Sequence, residues 1–440
     1  MSTSPEMPRF SRPKRLLGTA FAAGVLTLLV SSGAAPSNAG AAAGVKYGLT
    51  DDAWIQHGPD TLDGRLAKLD ALGVRIVRFS LHWNEIAHSA PSSPSDPEDP
   101  AYDWSQTTPV LDGLKSHGID AVLQLVGTPP WANGGKGTNY VPASSTAFAG
   151  FAAAAAHEYP WVRKWLIWNE PNQARWLRPT SASLYVVRLL NPAYAAIHDV
   201  IANAQVAGGG TAPRAVTGGV SPVAWLTGMH AAHARLDAYA HNPYPLDPKR
   251  ETPVTGGCTH CTTITMATLG RLVSLVASDF PRARIWLTEY GYQSNPPDRI
   301  LGVAPALQAR YASEGAYVAY RTPRVEMLIQ FLYRDEPTLS RFQSGLVTLG
   351  DAEKPAFAAF ELPLAETART GTRTSLWGQL RAPAAGSTAT LERRVGSSWK
   401  RFATVSGGTA GFFRFTGPLP RGAVVRVHSD ALIGAPLTIG

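Results

Sequence analysis

The sequence predicts an α/β protein: a (β/α)8 TIM barrel over residues 45–362, followed by a small all-β, sandwich-like domain over 369–440. Three observations carry that reading. Apolar, strand-like stretches alternate with helix-patterned ones to give eight strand-then-helix units, which suits such a barrel with loop insertions. The turn after the first strand, Thr50-Asp51-Asp52-Ala53, lacks the glycines that a nucleotide-binding doubly wound sheet, the rival architecture, would place there. From about Arg369 the helical texture stops, and short alternating stretches divided by Gly, Ser and Pro take over.

Taken in order, Val45–Leu49 reads as the first strand and Leu62–Leu72 as an amphipathic helix closed by Gly73. Val74–Phe79 is the second strand and leads into Ser80-Leu81-His82-Trp83; the Pro/Ser/Asp-rich stretch 89–100 is too polar and broken to be core. A helix over Thr108–His117 stops at Gly118, and the apolar strand Ile119–Val126 runs into Thr128-Pro129-Pro130-Trp131. The Ala-rich helix Ser144–His157 precedes the fourth strand, Trp165–Trp168; a helix over Ala182–Ala204 is kinked or restarted by Pro192. Ala215–Val220, Leu236–Ala240 and Arg284–Leu287 are the next strands, with helical stretches near 223–233 and 264–278 between them. A helix over Pro305–Tyr320, a strand over Val325–Phe331 and a short helix over Pro355–Glu361 complete the barrel pattern. In the tail, Ala389–Arg394, Trp399–Val405, Phe412–Phe415 and Ala423–Val427 carry the β-sandwich signature, with no cluster of acids, bases or nucleophiles.

Charge and targeting narrow the function classes. Of the formal +8, residues 1–39 hold Arg9, Arg12, Lys14 and Arg15 against Glu6, leaving +5 for the rest. No basic cluster persists beyond them, so a nucleic-acid partner is not expected. Arg12, Lys14 and Arg15 precede the apolar run Leu16–Val30 and a Ser37-Asn38-Ala39 cleavage site, which reads as an export signal over residues 1–39 and a secreted, extracellular product. The apolar run is shorter than the ~20 residues a membrane span needs, and no later segment is long enough, so no integral span is expected after cleavage. The arginines are not adjacent, so a twin-arginine signal is not supported. The only cysteines, Cys258 and Cys261 in Gly-Gly-Cys-Thr-His-Cys, fit a loop-closing disulfide in an oxidising compartment. A zinc site would need more ligands than His260 adds, so no metal is expected.

Two stretches carry the chemistry. Trp165-Leu166-Ile167-Trp168-Asn169-Glu170-Pro171-Asn172 runs from a buried strand into an Asn-Glu pair, ended by a proline that cannot continue a ladder. Alone, Glu170 could be a structural ion pair. Ile285-Trp286-Leu287-Thr288-Glu289-Tyr290-Gly291-Tyr292 repeats the pattern three units later. Strands four and seven lie on opposite sides of an eight-membered ring, so both carboxylates face one mouth, the minimum equipment for glycoside hydrolysis.

The segments Trp168-Asn169-Glu170-Pro171-Asn172 and Thr288-Glu289-Tyr290-Gly291 resemble clan A glycoside hydrolases, most closely families 39 and 5, over about residues 45–362. The resemblance implies a retaining double displacement, with Glu170 as acid/base, Glu289 as nucleophile and the carboxyls ~5–5.5 Å apart. It also implies that Asn169 bonds the sugar 2-hydroxyl and that Arg78, near the nucleophile, favours its charged form. In His241-Asn242-Pro243-Tyr244, Tyr244 would donate to Glu289 and His241 would line the sugar site. Trp131 and Trp83, just past strand ends, are candidate stacking platforms, with core packing the competing role for Trp83. The chain departs from the clan at the eighth strand, where Gln330-Phe331-Leu332-Tyr333-Arg334-Asp335-Glu336 lacks a Trp. There Phe331 or Tyr333 would serve as platform, and Arg334 and Asp335 would face the ligand or pair at the rim. The expectation is a secreted, monomeric O-glycosidase acting on polysaccharide or oligosaccharide without a cofactor. The alternative is a non-catalytic carbohydrate-binding or cell-wall-associated protein on the same barrel.

Overall fold

Eight parallel strands close a barrel: β1 (Lys46–Thr50), β2 (Ile76–His82), β3 (Asp120–Val126), β4 (Lys164–Ile167), β5 (Gln205–Thr211), β6 (Ala238–His241), β7 (Arg284–Tyr290) and β8 (Val325–Phe331). The computed structural model describes residues 44–429 and 431–440; the expected export signal lies outside the described residues. β1 closes the ring on β8, with Leu49 opposite Gln330. The strands are buried on both faces, which is why they read as near-continuous apolar runs.

Alternation along those strands sorts two cores. Ile76, Val122, Leu166, Ala207, Ala238, Ala240, Trp286, Met327 and Ile329 form a separate cluster filling the barrel interior. Their neighbours, such as Val77, Leu123, Trp165, Tyr239 and Leu287, join the larger cluster between the barrel and its helices. β1 contributes Gly48 to the interior, where a Cβ would fall 2.2 Å from the Ile76 carbonyl oxygen.

One strand lies elsewhere than expected. Residues 215–220 are a loop, and the fifth strand is Gln205-Val206-Ala207-Gly208-Gly209-Gly210-Thr211, immediately after the end of the expected helix. Its glycine run lets the backbone approach β6. Gly209 (φ 97°) and Gly210 (φ 52°) adopt left-handed conformations, and a Cβ on Gly209 would sit 2.9 Å from the Ala240 carbonyl. The fourth strand ends at Ile167, one residue earlier than the apolar run.

After the barrel, β9 (Leu364–Thr370), β10 (Arg373–Gln379) and β13 (Phe412–Pro418) form one sheet. β11 (Thr388–Val395), β12 (Ser398–Ser406), β14 (Val424–His428) and β15 (Leu437–Thr438) form another. A core including Leu376, Leu391, Phe413, Val425 and Val427 joins the two antiparallel sheets. β9 and β10 were not among the expected strands. At the contact with the barrel, Trp377 of β10 and Phe412 of β13 pack on Tyr320, and past the end of β10 the Arg381 guanidinium lies 4.0 Å above Tyr47 and 4.5 Å above Phe360. Tyr47 stands at the start of β1, so these sheets pack away from the barrel mouth. No helix among the described residues is long and apolar enough to cross a membrane.

Candidate active site

At the carboxyl ends of the strands, the barrel interior turns polar. Arg78 and Gln124 lie two residues beyond the interior residues Ile76 and Val122 on β2 and β3, so simple alternation sends both into the mouth. Arg78 donates from Nη1 to Glu289 Oε1 at 2.7 Å and from Nε to Thr50 Oγ1 at 3.3 Å. The ion pair is almost wholly buried, with side-chain exposures of 6% and 10%. The Tyr244 hydroxyl donates to the other Glu289 oxygen at 3.0 Å, and burial, then this carboxylate, pushes the phenol far up.

Alternation alone does not aim Glu289. With Trp286 inside the barrel, Glu289 would point out with Ile285 and Leu287. Between Leu287 and Tyr290, however, β7 advances three residues while β8 advances two, from Leu328 to Gln330. The extra residue is a bulge that reverses the faces. Tyr290 consequently points outward and donates to the Tyr311 carbonyl, while Glu289 turns into the mouth.

Glu170 is aimed by a different irregularity. Trp168 (φ 71°) and Glu170 (φ 37°) are left-handed, a conformation that costs non-glycine residues about 1–3 kcal/mol each unless their surroundings hold it. The Trp168 indole is fully buried, donates to the Trp176 carbonyl at 2.8 Å and packs edge-on against Phe148. The Glu170 N–H donates to the Gly210 carbonyl at 3.0 Å, which ties it to the glycine run of β5. The carboxylate accepts one side-chain hydrogen bond, from Asn242 Nδ2 at 3.2 Å. Burial, then the charge of Glu289, raises its pKa to about 7, against the opposing pull of Asn242, Arg175 and Arg78.

Asn242 connects the two carboxylate strands. It is fully buried, donates to Glu170, and accepts at Oδ1 from the Thr288 hydroxyl at 2.8 Å, next to Glu289. Asn169 accepts at Oδ1 from Gln124 Nε2 at 3.3 Å; Gln124 also donates to the Trp168 carbonyl and accepts from Ser80. With its oxygen so oriented, the Asn169 amide N–H groups are left for a ligand. From sequence alone, Asn242, Gln124 and Thr288 receive no role. Asn242 was legible in principle: Ala238 and Ala240 face the interior, so alternation points Asn242 inward and its neighbour outward.

That neighbour is His241, and the expectation that it lines the sugar site is corrected. Its ring is fully buried behind the barrel wall, where Nε2 lies 3.0 Å from the Ile264 carbonyl and Nδ1 2.8 Å from the Thr211 hydroxyl. A carbonyl only accepts, so Nε2 carries the hydrogen and Nδ1 accepts. Burial lowers its pKa to about 4 and keeps it neutral. Tyr333 is likewise no platform, since it stacks on Trp54 at 3.9 Å. Asp335 does not face a ligand: it is buried against Lys354 Nζ at 2.7 Å, while Arg334 pairs with Asp351. Phe331 does stand near the mouth, edge-on to Tyr244 and to Phe342, which lines the adjoining cavity. Trp83 is fully buried core, and the partly exposed Trp131 packs edge-on against it and donates to the Ala87 carbonyl. Cys258 and Cys261 form a disulfide in the loop after β6.

The sequence matches no protein-family model and no characterised protein. In structure, the chain is similar to a family 39 glycoside hydrolase from the gut symbiont Bacteroides cellulosilyticus, at 16% identity and a TM-score of 0.56 over 84% of this chain and 78% of that one. It is similar to a family 39 enzyme from Xanthomonas axonopodis pv. citri, at 14% identity and a TM-score of 0.57 over 87% and 93% of the two chains. A glucosidase from Croceicoccus marinus superposes at 13% identity and a TM-score of 0.56 over 87% and 94%. At these identities, what is shared is the fold.

Proposed function

We propose that this chain is an exported, retaining O-glycoside hydrolase in which Glu170 is the acid/base and Glu289 the nucleophile. The observation that carries the reading is the unequal treatment of two carboxylates at one barrel mouth. Glu289 has a guanidinium on one oxygen and a phenol on the other, an environment built for an anion. Glu170 is held near pKa 7 and retains a proton to give at neutral pH. In the first step, Glu170 protonates the departing oxygen while a Glu289 oxygen attacks the anomeric carbon. In the second, the Glu170 carboxylate takes a proton from water as that water displaces Glu289. Asn169, oriented by Gln124, donates to the sugar hydroxyl beside the reacting carbon, a bond that strengthens in the transition state. Both carboxylates act directly on the substrate, so the reaction calls for no cofactor. The likeness to glycoside hydrolase folds supports the reading. The test is proton NMR of the first-formed sugar from a panel of aryl glycosides: the expected product keeps its anomeric configuration, and inversion would overturn the mechanism.

A further inference from the structure

A cavity of about 260 Å³ opens on Glu170 and extends beneath the loops after β5, β6 and β7. Glu289, Arg78 and Asn169 do not line it. On the hydrolase reading, on which this inference rests, the cavity therefore lies on the proton donor's side and takes the departing group. Its wall is poorly equipped for sugars. Pro213, Pro245, Leu246, Leu301 and Phe342 supply much of it. Neutral polar side chains in the wall are largely committed to the protein. Gln173 donates to the Arg214 carbonyl and accepts from the Val216 N–H, Gln293 accepts from the Gln343 N–H, and Ser344 donates to the Phe331 carbonyl. A neutral oligosaccharide would bury hydroxyls there with few partners, which costs binding free energy for each hydroxyl left unpaired.

The groups left without a charged partner are cations, one of them, Arg175, with its guanidinium 5.3 Å over the Trp176 ring. Arg175 and Arg214 both line the cavity, both are exposed, and neither has a carboxylate partner among the described residues. Arg175 is close enough to Glu170 to pull its pKa down. In the two loops that carry these arginines, 168–181 and 212–221, Glu170 is the sole acidic residue. We propose that the cavity takes a leaving group with a compact apolar body and an anionic substituent, held by Arg175 and Arg214, rather than a further run of neutral sugars. A volume below the roughly 300 Å³ at which drug-sized pockets begin suits one small ring system with its charge.

Calorimetric binding to the full chain tests this, with p-coumarate, its methyl ester and cellotriose as probes. The carboxylate is expected to bind at least about tenfold more tightly than the ester, as one or two charge-assisted hydrogen bonds would give. That preference should collapse in Arg175→Gln/Arg214→Gln, with the thermal transition unchanged, and should persist in Glu289→Gln. Cellotriose binding as tightly as p-coumarate, or a carboxylate preference that survives the double substitution, would overturn the proposal. Arginine-dependent binding in a protein that turns over no glycoside would sink the hydrolase reading and leave the anion site standing. Turnover without carboxylate preference would do the reverse.

Discussion

The ends of β4 and β7 look alike in sequence and are built differently. Each is a short apolar strand leading to a Glu, yet Glu289 lies within β7 and is turned inward by one extra residue, while Glu170 lies beyond the end of β4 on a left-handed turn. The β7 carboxylate meets a cation and a phenol; the β4 carboxylate meets one amide and the field of its twin. Chemical role follows from those surroundings, since two identical side chains become an anion and an acid only when their environments are made unequal.

Five substitutions or treatments would break or sharpen that contrast. Glu289→Gln should give the largest effect, a loss of turnover on the order of 10⁴-fold or more, as when other covalent nucleophiles are removed; near-normal rates on aryl glycosides would remove it from the nucleophile's role. Glu170→Ala should cost about 10²–10⁴-fold. Azide should restore part of the rate on substrates with good leaving groups, forming a glycosyl azide, and an absence of rescue would count against the acid/base assignment. Arg78→Met should destabilise the fold by about 3–5 kcal/mol in urea titration, because it strands the Glu289 charge in a buried site.

Glu170→Gln should behave in the opposite sense. The folded pKa of Glu170 lies above the ordinary carboxylate value of 4.5, so its ionisation opposes folding, and stability is lost as pH rises from about 4.5 to 7. Removing the charge should therefore raise stability at pH 8, by about 1–3 kcal/mol, and leave it nearly unchanged at pH 4. The same pKa should appear as an alkaline limb near 7 in kcat/KM, and carboxyl NMR titration of Glu170 should find it lowered in Glu289→Gln, since the Glu289 charge is one of its causes. The smallest effect is expected from reducing Cys258–Cys261. A loop this short contributes about 1–2 kcal/mol, so the melting temperature should fall while turnover persists.

Much of the site was legible because it obeys alternation. Arg78 follows Ile76 by two residues and shares its inward face, and the order of strands four and seven around a ring puts both glutamates at one mouth. His241 was misread because its motif, rather than its phase against Ala238 and Ala240, was followed. The fifth strand was missed because Gly208-Gly209-Gly210 reads as a loop, when close backbone approach was what the glycines served. Arg175 and Arg214 carry no periodic signal at all, being loop residues whose meaning lies in the cavity they share.

By itself the sequence determined the barrel and the trailing β layer, the arrival of a glutamate at the ends of two apolar strands, and the cysteine pair in one loop. Patterning suffices for these, because burial of alternate or continuous apolar faces is a local property of the chain. Only the tertiary structure decided which way each glutamate points and how each is charged. Those outcomes depend on a one-residue slip against β8, on a carbonyl offered by β5, and on a cation and a phenol brought from β2 and the loop after β6. Electrostatic environment is a sum over groups distant in sequence, and it exists only once the ring has closed.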